Sequence, residues 1–278
     1  DTSAPATPPA HLVFAVIGDY GEAGPHALAV AEMIEDWNVD FIVTTGDNNY
    51  PNGEAETIDE NIGQYYHHYI GSYQGIYGAA TAENRFFPTM GNHDWTLDNS
   101  IEPYLDYFTL PGNERYYEVV VPPVHFFIID SDTREPDGVG ASSDQAAWLR
   151  EALENSTQRW QIIVMHHPPY SSGRHGSTDY MQWPFEEWGA EVVLAGHDHL
   201  YERLEVDDVL YLISGLGGHE ARYAFVEILP QSQFRYNEDW GALRVTATED
   251  WILFEFINVS GKVIDSVVLE REIIFQPE

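Results

Sequence analysis

Residues 11–19 read HLVFAVIGD and residues 39–47 read VDFIVTTGD, and these two segments decide the fold. Each is a continuous apolar run that ends in Gly-Asp, which is typical of a strand buried on both faces. Between them, Pro25–Trp37 carries apolar residues at helical spacing, with Pro25 well placed at the start of a helix. The order strand, helix, strand predicts a βαβ unit.

Further apolar runs extend this pattern along the chain. Val124–Ile129, Gln161–Met165, Val192–Ala195 and Val209–Ile213 are predicted strands, and Ser142–Glu154 is a predicted helix with Ser142 as its cap. After residue 240, three segments separated by turns predict antiparallel strands: Ala242–Thr248, Trp251–Ile257 and Val263–Leu269. We therefore expect a layered α/β protein with two sheets inside and helices outside. No repeat or composition break divides residues 11–278, so they are predicted to form a single domain.

The charge of the chain is one-sided. Its 278 residues contain 12 Lys+Arg and 46 Asp+Glu, which give a formal net charge of −34 at pH 7, and Lys262 is the only lysine. A hydrophobic fraction of 44% is too high for a disordered acidic chain, and no apolar run is long enough to span a membrane. A surface this negative argues against nucleic-acid binding through a basic face. Two explanations of the acidity stay open, adaptation to salty water and ordinary acid-rich secretion.

The first ten residues, DTSAPATPPA, form a Pro/Ala/Thr-rich tether before the first strand, and the chain begins with Asp1. This pattern is typical of the mature end left after signal-peptide removal and predicts a secreted or periplasmic protein, although an artificially trimmed chain would begin in the same way. The chain has no cysteine, so disulfides, cysteine-bound zinc and thiol catalysis are excluded.

The predicted strands end in side chains that can bind metal. The blocks are Gly18-Asp19, Gly46-Asp47-Asn48-Asn49-Tyr50, Gly91-Asn92-His93-Asp94, Met165-His166-His167 and Gly196-His197-Asp198-His199. Ligands of open α/β sheets gather outside the carboxyl ends of the strands. One such block is weak evidence, because a lone Gly-Asp usually begins a turn. Five of them in this order predict that the loops converge on one metal site.

The series GD, GDNNY, GNHD, VMHH and GHDH resembles the calcineurin-like metallophosphoesterases. The tyrosine of GDNNY is similar to that of the purple, or tartrate-resistant, acid phosphatase branch, and the resemblance extends over residues 11–270. It implies the metallophosphatase fold, a four-layer α-β-β-α sandwich of two mixed sheets flanked by helices. It also implies two metal ions that share Asp47. The resemblance assigns one ion to Asp19, Asp47, Tyr50 and His199, and the other to Asp47, Asn92, His166 and His197.

Tyr50 bears on the identity of the metals. A phenol has a pKa near 10, so binding as phenolate near neutral pH requires a strongly Lewis-acidic ion, for which Fe³⁺ is the natural candidate. The resemblance likewise implies a ferric ion at Tyr50 beside Fe²⁺, Zn²⁺ or Mn²⁺. In the alternative, Tyr50 packs beneath the site and both ions are divalent.

Two histidines are candidates for proton transfer. The resemblance implies that His93 contacts the substrate phosphate and helps to protonate the leaving group, and Asp94 could orient its ring. His175, in the segment SGRHG, lies where tartrate-resistant phosphatases carry a histidine on the substrate side. It is assigned to phosphate binding or leaving-group protonation, against the alternative of a loop histidine that faces water. His167 adjoins His166, but neighbours in an extended segment point opposite ways, so we expect only His166 to reach the metals.

Together these residues predict a hydrolase of phosphate monoesters that releases inorganic phosphate. A metal-bound hydroxide would attack phosphorus while a histidine assists the leaving group. A phosphodiesterase on the same metal site stays an alternative, because the loops that would distinguish the substrates, such as 65–82 and 134–140, carry no motif. A non-catalytic binding protein on this scaffold would have lost a ligand or His93, and neither is missing.

Overall fold

The predicted βαβ unit opens the fold in a computed structural model, which describes residues 11–271. Strands β1 (Leu12–Ile17) and β2 (Phe41–Thr44) lie parallel, with α1 (Pro25–Trp37) between them in sequence. Pro25 occupies the first turn of α1, where its missing N–H costs no hydrogen bond. The helix ends at Asn38, whose left-handed φ of 51° is one that asparagine tolerates. The expectation for this unit is confirmed.

Six strands form the first sheet. Besides β1 and β2 they are β3 (Phe86–Phe87), β11 (Gly241–Ala247), β12 (Trp251–Asn258) and β13 (Val263–Glu270). The order across the sheet is β13-β12-β11-β1-β2-β3. β1, β2 and β3 run parallel, whereas β11 pairs antiparallel with β1, and the last three strands pair antiparallel with one another. The antiparallel strands predicted near the carboxyl end of the chain are therefore present.

Seven strands form the second sheet. They are β4 (Tyr117–Val121), β5 (Val124–Ile128), β6 (Trp160–Val164), β7 (Val192–Ala195), β8 (Tyr201–Val206), β9 (Val209–Ser214) and β10 (Ser232–Tyr236). Their order is β10-β8-β9-β7-β6-β5-β4, with the four central strands parallel and the flanking pairs antiparallel. Both sheets are thus mixed.

The main hydrophobic core lies between the two sheets. Phe14 of β1 and Phe126 of β5 meet there edge to face, with ring centroids 5.1 Å apart, and both side chains are fully buried. Along β5 the next residue, Phe127, belongs to a second core on the other face of its sheet. Alternate side chains of a strand point to opposite faces, so β5 is covered on both sides. This burial explains why its sequence, VHFFI, is apolar at every position except His125.

The second core is closed by α5 (Asp144–Asn155). Ala146, Leu149 and Leu153 point from this helix towards the sheet. The helix begins one residue later than expected, because the side chain of Ser143, and not of Ser142, accepts a hydrogen bond from the N–H of Ala146. With α1 outside the first sheet and α5 outside the second, the expected four-layer α-β-β-α arrangement is confirmed.

Several short elements were not predicted. They include α2 (Ala55–Ile58), α3 (Gln64–Tyr66) and α4 (Glu102–Tyr107), together with β3, β4, β8 and β10. Most are too short or too exposed to show a clear hydrophobic period, and in β8 (YERLEV) charged residues interrupt the apolar pattern.

The proposed tether, residues 1–10, and the end of the chain after residue 271 lie outside the described residues. The export prediction and the outer limits of the single domain therefore stay predictions. Within residues 11–271, none of the helices has the length and apolar character needed to cross a bilayer.

Candidate metal centre

The polar side chains that end the strands meet at one edge of the sandwich. Asp19 and Asp47 follow β1 and β2 of the first sheet, and His166 and His197 follow β6 and β7 of the second. Each of the four follows the carboxyl end of a strand, and the two strands in each sheet are parallel, so their carboxyl ends lie at the same edge. The site therefore forms where the two sheets meet, as the sequence predicts.

Asp47 is the centre of this group. Its Oδ2 lies 2.8 Å from the hydroxyl of Tyr50, and its Oδ1 lies 3.3 Å from Nε2 of His166. Oδ1 also accepts a hydrogen bond from the backbone N–H of His93 at 2.9 Å. The side chain is 2% exposed. One buried carboxylate thus presents its two oxygens to two separate sets of donor atoms.

The first set surrounds the hydroxyl of Tyr50. This oxygen lies 3.2 Å from Nε2 of His199 and 3.4 Å from Oδ1 of Asp19, and the latter two atoms are 3.4 Å apart. The Nδ1–H of His199 donates to the carbonyl of Ala221 at 2.8 Å, which leaves Nε2 as the nitrogen that can bind a cation.

The second set surrounds Nε2 of His166. This nitrogen lies 3.1 Å from Oδ1 of Asn92 and 3.2 Å from Nδ1 of His197. The other ring nitrogen, Nδ1, donates to the carbonyl of Thr45 at 2.8 Å, so in the neutral ring Nε2 carries the lone pair that a metal ion can bind. The separations in both sets match those of donor atoms that share one ion.

The donor chemistry fits two cations. Burial alone would raise the pKa of Asp47, but the adjacent His166 imidazole outweighs it and holds the pKa of Asp47 well below its usual range. Burial lowers the pKa of His166, yet Asp47 outweighs that effect and raises it to about 10. Burial, together with the charges of Asp47 and Asp19, raises the pKa of Tyr50 well above its ordinary value. A phenolate at Tyr50 therefore requires a strongly Lewis-acidic cation beside it.

Two glycines make the approach of these side chains possible. Gly46 has a φ of +96°, and a Cβ there would lie 2.6 Å from Nδ1 of His166. A Cβ on Gly91 would collide with Oδ1 of Asp47. Any larger residue at either position would displace a candidate ligand, which explains the glycine before Asp47 and before Asn92.

His93 and His175 both lie at the centre. The ring of His93 is 4.4 Å from that of Tyr50, and the ring of His175 is 4.3 Å from that of His197. These positions are on the two sides of the donor cluster, one beside each set. His175 is also exposed in its loop, so it faces water as well as the ring of His197, and its assignment to phosphate stays a prediction.

The suggested contact between Asp94 and the ring of His93 is wrong. The Nδ1–H of His93 donates instead to the carbonyl of Pro51 at 2.6 Å. The carboxylate of Asp94 accepts hydrogen bonds from the backbone N–H groups of Gly91 and Asn48 and from the side chain of Asn48. Burial and the charge of Asp47 raise the pKa of Asp94 to about 7. Asp94 thus connects two ligand-bearing loops.

The expectation that only His166 reaches the metals stays a prediction, but the strand alternation from which it was drawn does not apply to His167. Strand β6 ends at Val164, so residues 166 and 167 lie in a bend where the alternation of a strand no longer applies. The ring of His167 is 4.5 Å from that of His197, and Nδ1 lies 2.9 Å from the hydroxyl of Ser131. A nitrogen of His167 lies within 4.8 Å of donor atoms of His166 and His197. His167 therefore belongs to the wall of the centre.

Three further residues support the site and were not identified from the sequence. Tyr223 stacks on His199 with ring centroids 4.2 Å apart, and the ring of His219 lies 4.5 Å from that of Tyr50. The buried carboxylate of Asp198 accepts the N–H of His175 at 3.0 Å. The sequence could have indicated Asp198, because it lies between the candidate ligands His197 and His199. Tyr223 could not be identified in this way, because it lies in an irregular loop without a motif.

Comparisons with known proteins agree with this geometry. Residues 12–201 match the family model described as calcineurin-like phosphoesterase. The chain is 26% identical to purple acid phosphatase 17 of Arabidopsis thaliana, over 97% of this chain and 88% of the relative. It is 22% identical to tartrate-resistant acid phosphatase type 5 of Mus musculus, over 94% and 90% of the two chains.

A solved structure shows the same fold. The purple acid phosphatase from seeds of yellow lupin (Lupinus luteus) superposes with a TM-score of 0.79 at 21% identity, over 95% of this chain and 54% of that one. Purple acid phosphatases are enzymes with two metal ions, one of them iron. The chain therefore belongs to the calcineurin-like phosphoesterase family and is a phosphoric ester hydrolase.

Proposed function

We propose that this chain hydrolyses phosphate monoesters at a dinuclear metal centre and releases inorganic phosphate. The observation that carries the proposal is the placement of the two carboxylate oxygens of Asp47, one 2.8 Å from the hydroxyl of Tyr50 and the other 3.3 Å from Nε2 of His166. Asp47 would bind both ions. The ion near Tyr50 would be held by Asp19, Asp47, Tyr50 and His199, and the ion near His166 by Asp47, Asn92, His166 and His197.

The proposed metals are Fe³⁺ beside Tyr50 and Fe²⁺, Zn²⁺ or Mn²⁺ beside Asn92. The choice of iron rests on Tyr50, because burial and two neighbouring carboxylates disfavour its phenolate strongly. The two ions would supply a hydroxide nucleophile near neutral pH and neutralise the charge on the phosphoryl oxygens.

His93 and His175 are the proposed catalytic residues, and Asp94 supports the His93 side of the site by joining the loops that carry Asp47 and His93. The hydrogen bond from the Nδ1–H of His93 to Pro51 fixes the ring, so that in the imidazolium form Nε2 carries the proton that a departing alkoxide can accept. His175 is fixed through its backbone by Asp198, and its ring lies against His197. It would bind the phosphate or share the protonation of the leaving group.

The test is hydrolysis of p-nitrophenyl phosphate by the metal-loaded protein and its His93→Ala variant. We expect His93→Ala to lower kcat by about 100-fold, because an acid catalyst contributes rate factors of this order. His11→Ala is the matched control and should leave kcat unchanged, since His11 is exposed at the start of β1. Metal content measured on each variant separates loss of the acid from loss of the ions.

Two outcomes would contradict the proposal. A metal-loaded wild-type protein that is inactive on p-nitrophenyl phosphate but cleaves bis-p-nitrophenyl phosphate would make the chain a phosphodiesterase. An unchanged kcat in His93→Ala with full metal content would remove His93 from the reaction.

A further inference from the structure

Arg134 is a rigidly held cation beside a candidate metal ligand. Its guanidinium donates from Nε and Nη2 to the two oxygens of Asp132, at 2.7 Å each. Its Nη2 also donates to the backbone carbonyl of Asn92 at 3.0 Å. The face of the guanidinium lies 4.9 Å from the ring centre of Trp95, which is 7% exposed. These contacts from three sides fix the orientation of the group.

The geometry of the guanidinium leaves one nitrogen available. A guanidinium presents Nε and Nη2 along one edge and Nη1 and Nη2 along its end. Asp132 occupies the first edge, so the end of the group faces the loop that carries Asn92. Within residues 11–271, Nη1 makes no hydrogen bond to the protein. Nη1 therefore has two N–H donors available beside the Asn92 carbonyl.

This position matters because cations are rare in the chain. There are 12 Lys+Arg against 46 Asp+Glu, and Arg134 is one of the few that lies next to the donor cluster. The buried carboxylate of Asp132, 7% exposed, places the group without taking its free end. An arginine held in this way is suited to a planar, charge-assisted contact with phosphate.

Phosphate monoesters and diesters differ in what they offer such a donor. A monoester has three non-bridging oxygens and up to two negative charges, whereas a diester has two such oxygens and one charge. If two of these oxygens are engaged by the ions while the nucleophile attacks phosphorus, only the monoester has a third oxygen to accept from a further donor.

We infer that Arg134 determines specificity, with Nη1 donating to the third non-bridging oxygen of a phosphate monoester and so favouring monoesters over diesters. This inference rests on the proposed function. It assigns to Arg134 a contact with the substrate, in addition to its contact with the backbone of Asn92.

The experiment compares kcat/KM for p-nitrophenyl phosphate and bis-p-nitrophenyl phosphate in the wild type, Arg134→Ala and Arg134→Lys. Losing a charge-assisted hydrogen bond should lower the monoester value roughly 10- to 100-fold in Arg134→Ala, with less than about a threefold change for the diester. Arg134→Lys keeps the positive charge but loses the planar set of guanidinium N–H donors. Its kcat/KM for the monoester should therefore lie between those of the wild type and Arg134→Ala. Arg150→Ala is the matched control, because Arg150 is 61% exposed on α5 and should affect neither substrate.

A second measurement is calorimetric binding of inorganic phosphate to the metal-loaded proteins. We expect roughly tenfold weaker binding in Arg134→Ala than in the wild type. Equal losses on both substrates would show that Arg134 only supports the Asn92 loop, and unchanged phosphate binding would also overturn the inference. A wild type that hydrolyses neither ester would refute the proposed function instead, and phosphate binding would then decide the role of Arg134 alone.

Discussion

Three candidate ligands have a left-handed backbone conformation. The φ angles are 55° at Asp19, 54° at Asp47 and 69° at His197. Such a conformation costs a residue with a Cβ roughly 1–2 kcal/mol, and residues of this kind concentrate at functional sites. Here it turns the chain sharply at the end of a strand, so that the side chain points into the centre. Two hydrogen bonds offset the cost, from the N–H of Asp19 to Gly46 and from the N–H of His197 to Asp19.

Asp130 is a buried carboxyl group outside the donor cluster. It is fully buried, its Oδ1 accepts the N–H of Asp132 at 2.8 Å, and its Oδ2 has no hydrogen-bond partner within residues 11–271. Burial, together with the charges of Glu135 and other nearby carboxylates, raises the pKa of Asp130 well above its usual value. A carboxyl group with a raised pKa in the folded state favours folding only while it is protonated.

We therefore expect Asp130→Asn to stabilise the protein increasingly as the pH rises. Below about pH 4, the pKa of an unfolded aspartate, both forms are neutral and the two proteins should have similar free energies of unfolding. Above about pH 4, Asp130 ionises in the unfolded wild type but stays protonated in the folded state, which lowers the free energy of unfolding of the wild type only. The stability that the protonated Asp130 contributes is fully lost once the pH has risen through its folded pKa. Urea unfolding from about pH 4.5 to 8 measures this difference. Asp250→Asn removes one exposed charge as control, and a pH-independent difference for Asp130→Asn would contradict the account.

At the scale of single elements, the cap of α5 is a sharp test of local structure. Ser143 accepts the N–H of Ala146 at 3.1 Å, whereas Ser142 is not the cap. Ser143→Ala should lower the free energy of unfolding by about 1 kcal/mol, a typical cost of losing a serine cap. Ser142→Ala, the adjacent control, should stay within about 0.5 kcal/mol of the wild type. Denaturation in urea measures both, and a larger loss in Ser142→Ala would show that the helix begins earlier.

The sequence predicts those elements whose burial follows a regular pattern, either along most of a strand or along one face of a helix. β1, α1, β2, β5, β6 and β7 carry long apolar patterns because each is covered by neighbouring layers, and their carboxyl ends indicated the location of the site. β3 has two residues, and no residue of β10 is fully buried, so neither forms an apolar run in the sequence. The sequence could predict that the ligands come together, because the strands that precede them are neighbours within their sheets: β1, β2 and β3 in the first, and β6 and β7 in the second.

The contacts that the sequence could not predict are those made by the backbone or at a strand end. His93 binds the carbonyl of Pro51, a partner that no side-chain motif indicates. The direction of His167 depended on β6 ending at Val164, two residues before the His pair. Arg134 reaches Asn92 across 42 positions, a contact that only the fold creates.

At the scale of the whole molecule, the net charge of −34 and the proposed site have opposite signs. A ferric and a divalent ion bound by three anionic side chains would leave a local charge of about +2. Attraction of phosphate esters is then confined to a short range, whereas the surface repels them at longer range. Secretion and adaptation to salt stay predictions from the sequence.

Salt should therefore not inhibit the enzyme. We expect kcat/KM for p-nitrophenyl phosphate to rise, or at least not to fall, as NaCl increases from about 0.05 to 0.5 M, because screening weakens the long-range repulsion. The same series in sodium nitrate separates screening from specific binding of chloride. A steep loss of kcat/KM in both salts would contradict this balance of charges.

The most direct test of the central claim is metal content measured together with the visible spectrum. The claim is that Asp47 joins two ions, with a ferric ion bound by the phenolate of Tyr50. The account predicts about two metal ions per chain, at least one of them iron, and a visible phenolate-to-iron absorption band that Tyr50→Phe abolishes. A colourless, iron-free protein that hydrolyses p-nitrophenyl phosphate, or a coloured protein whose band survives in Tyr50→Phe, would contradict it.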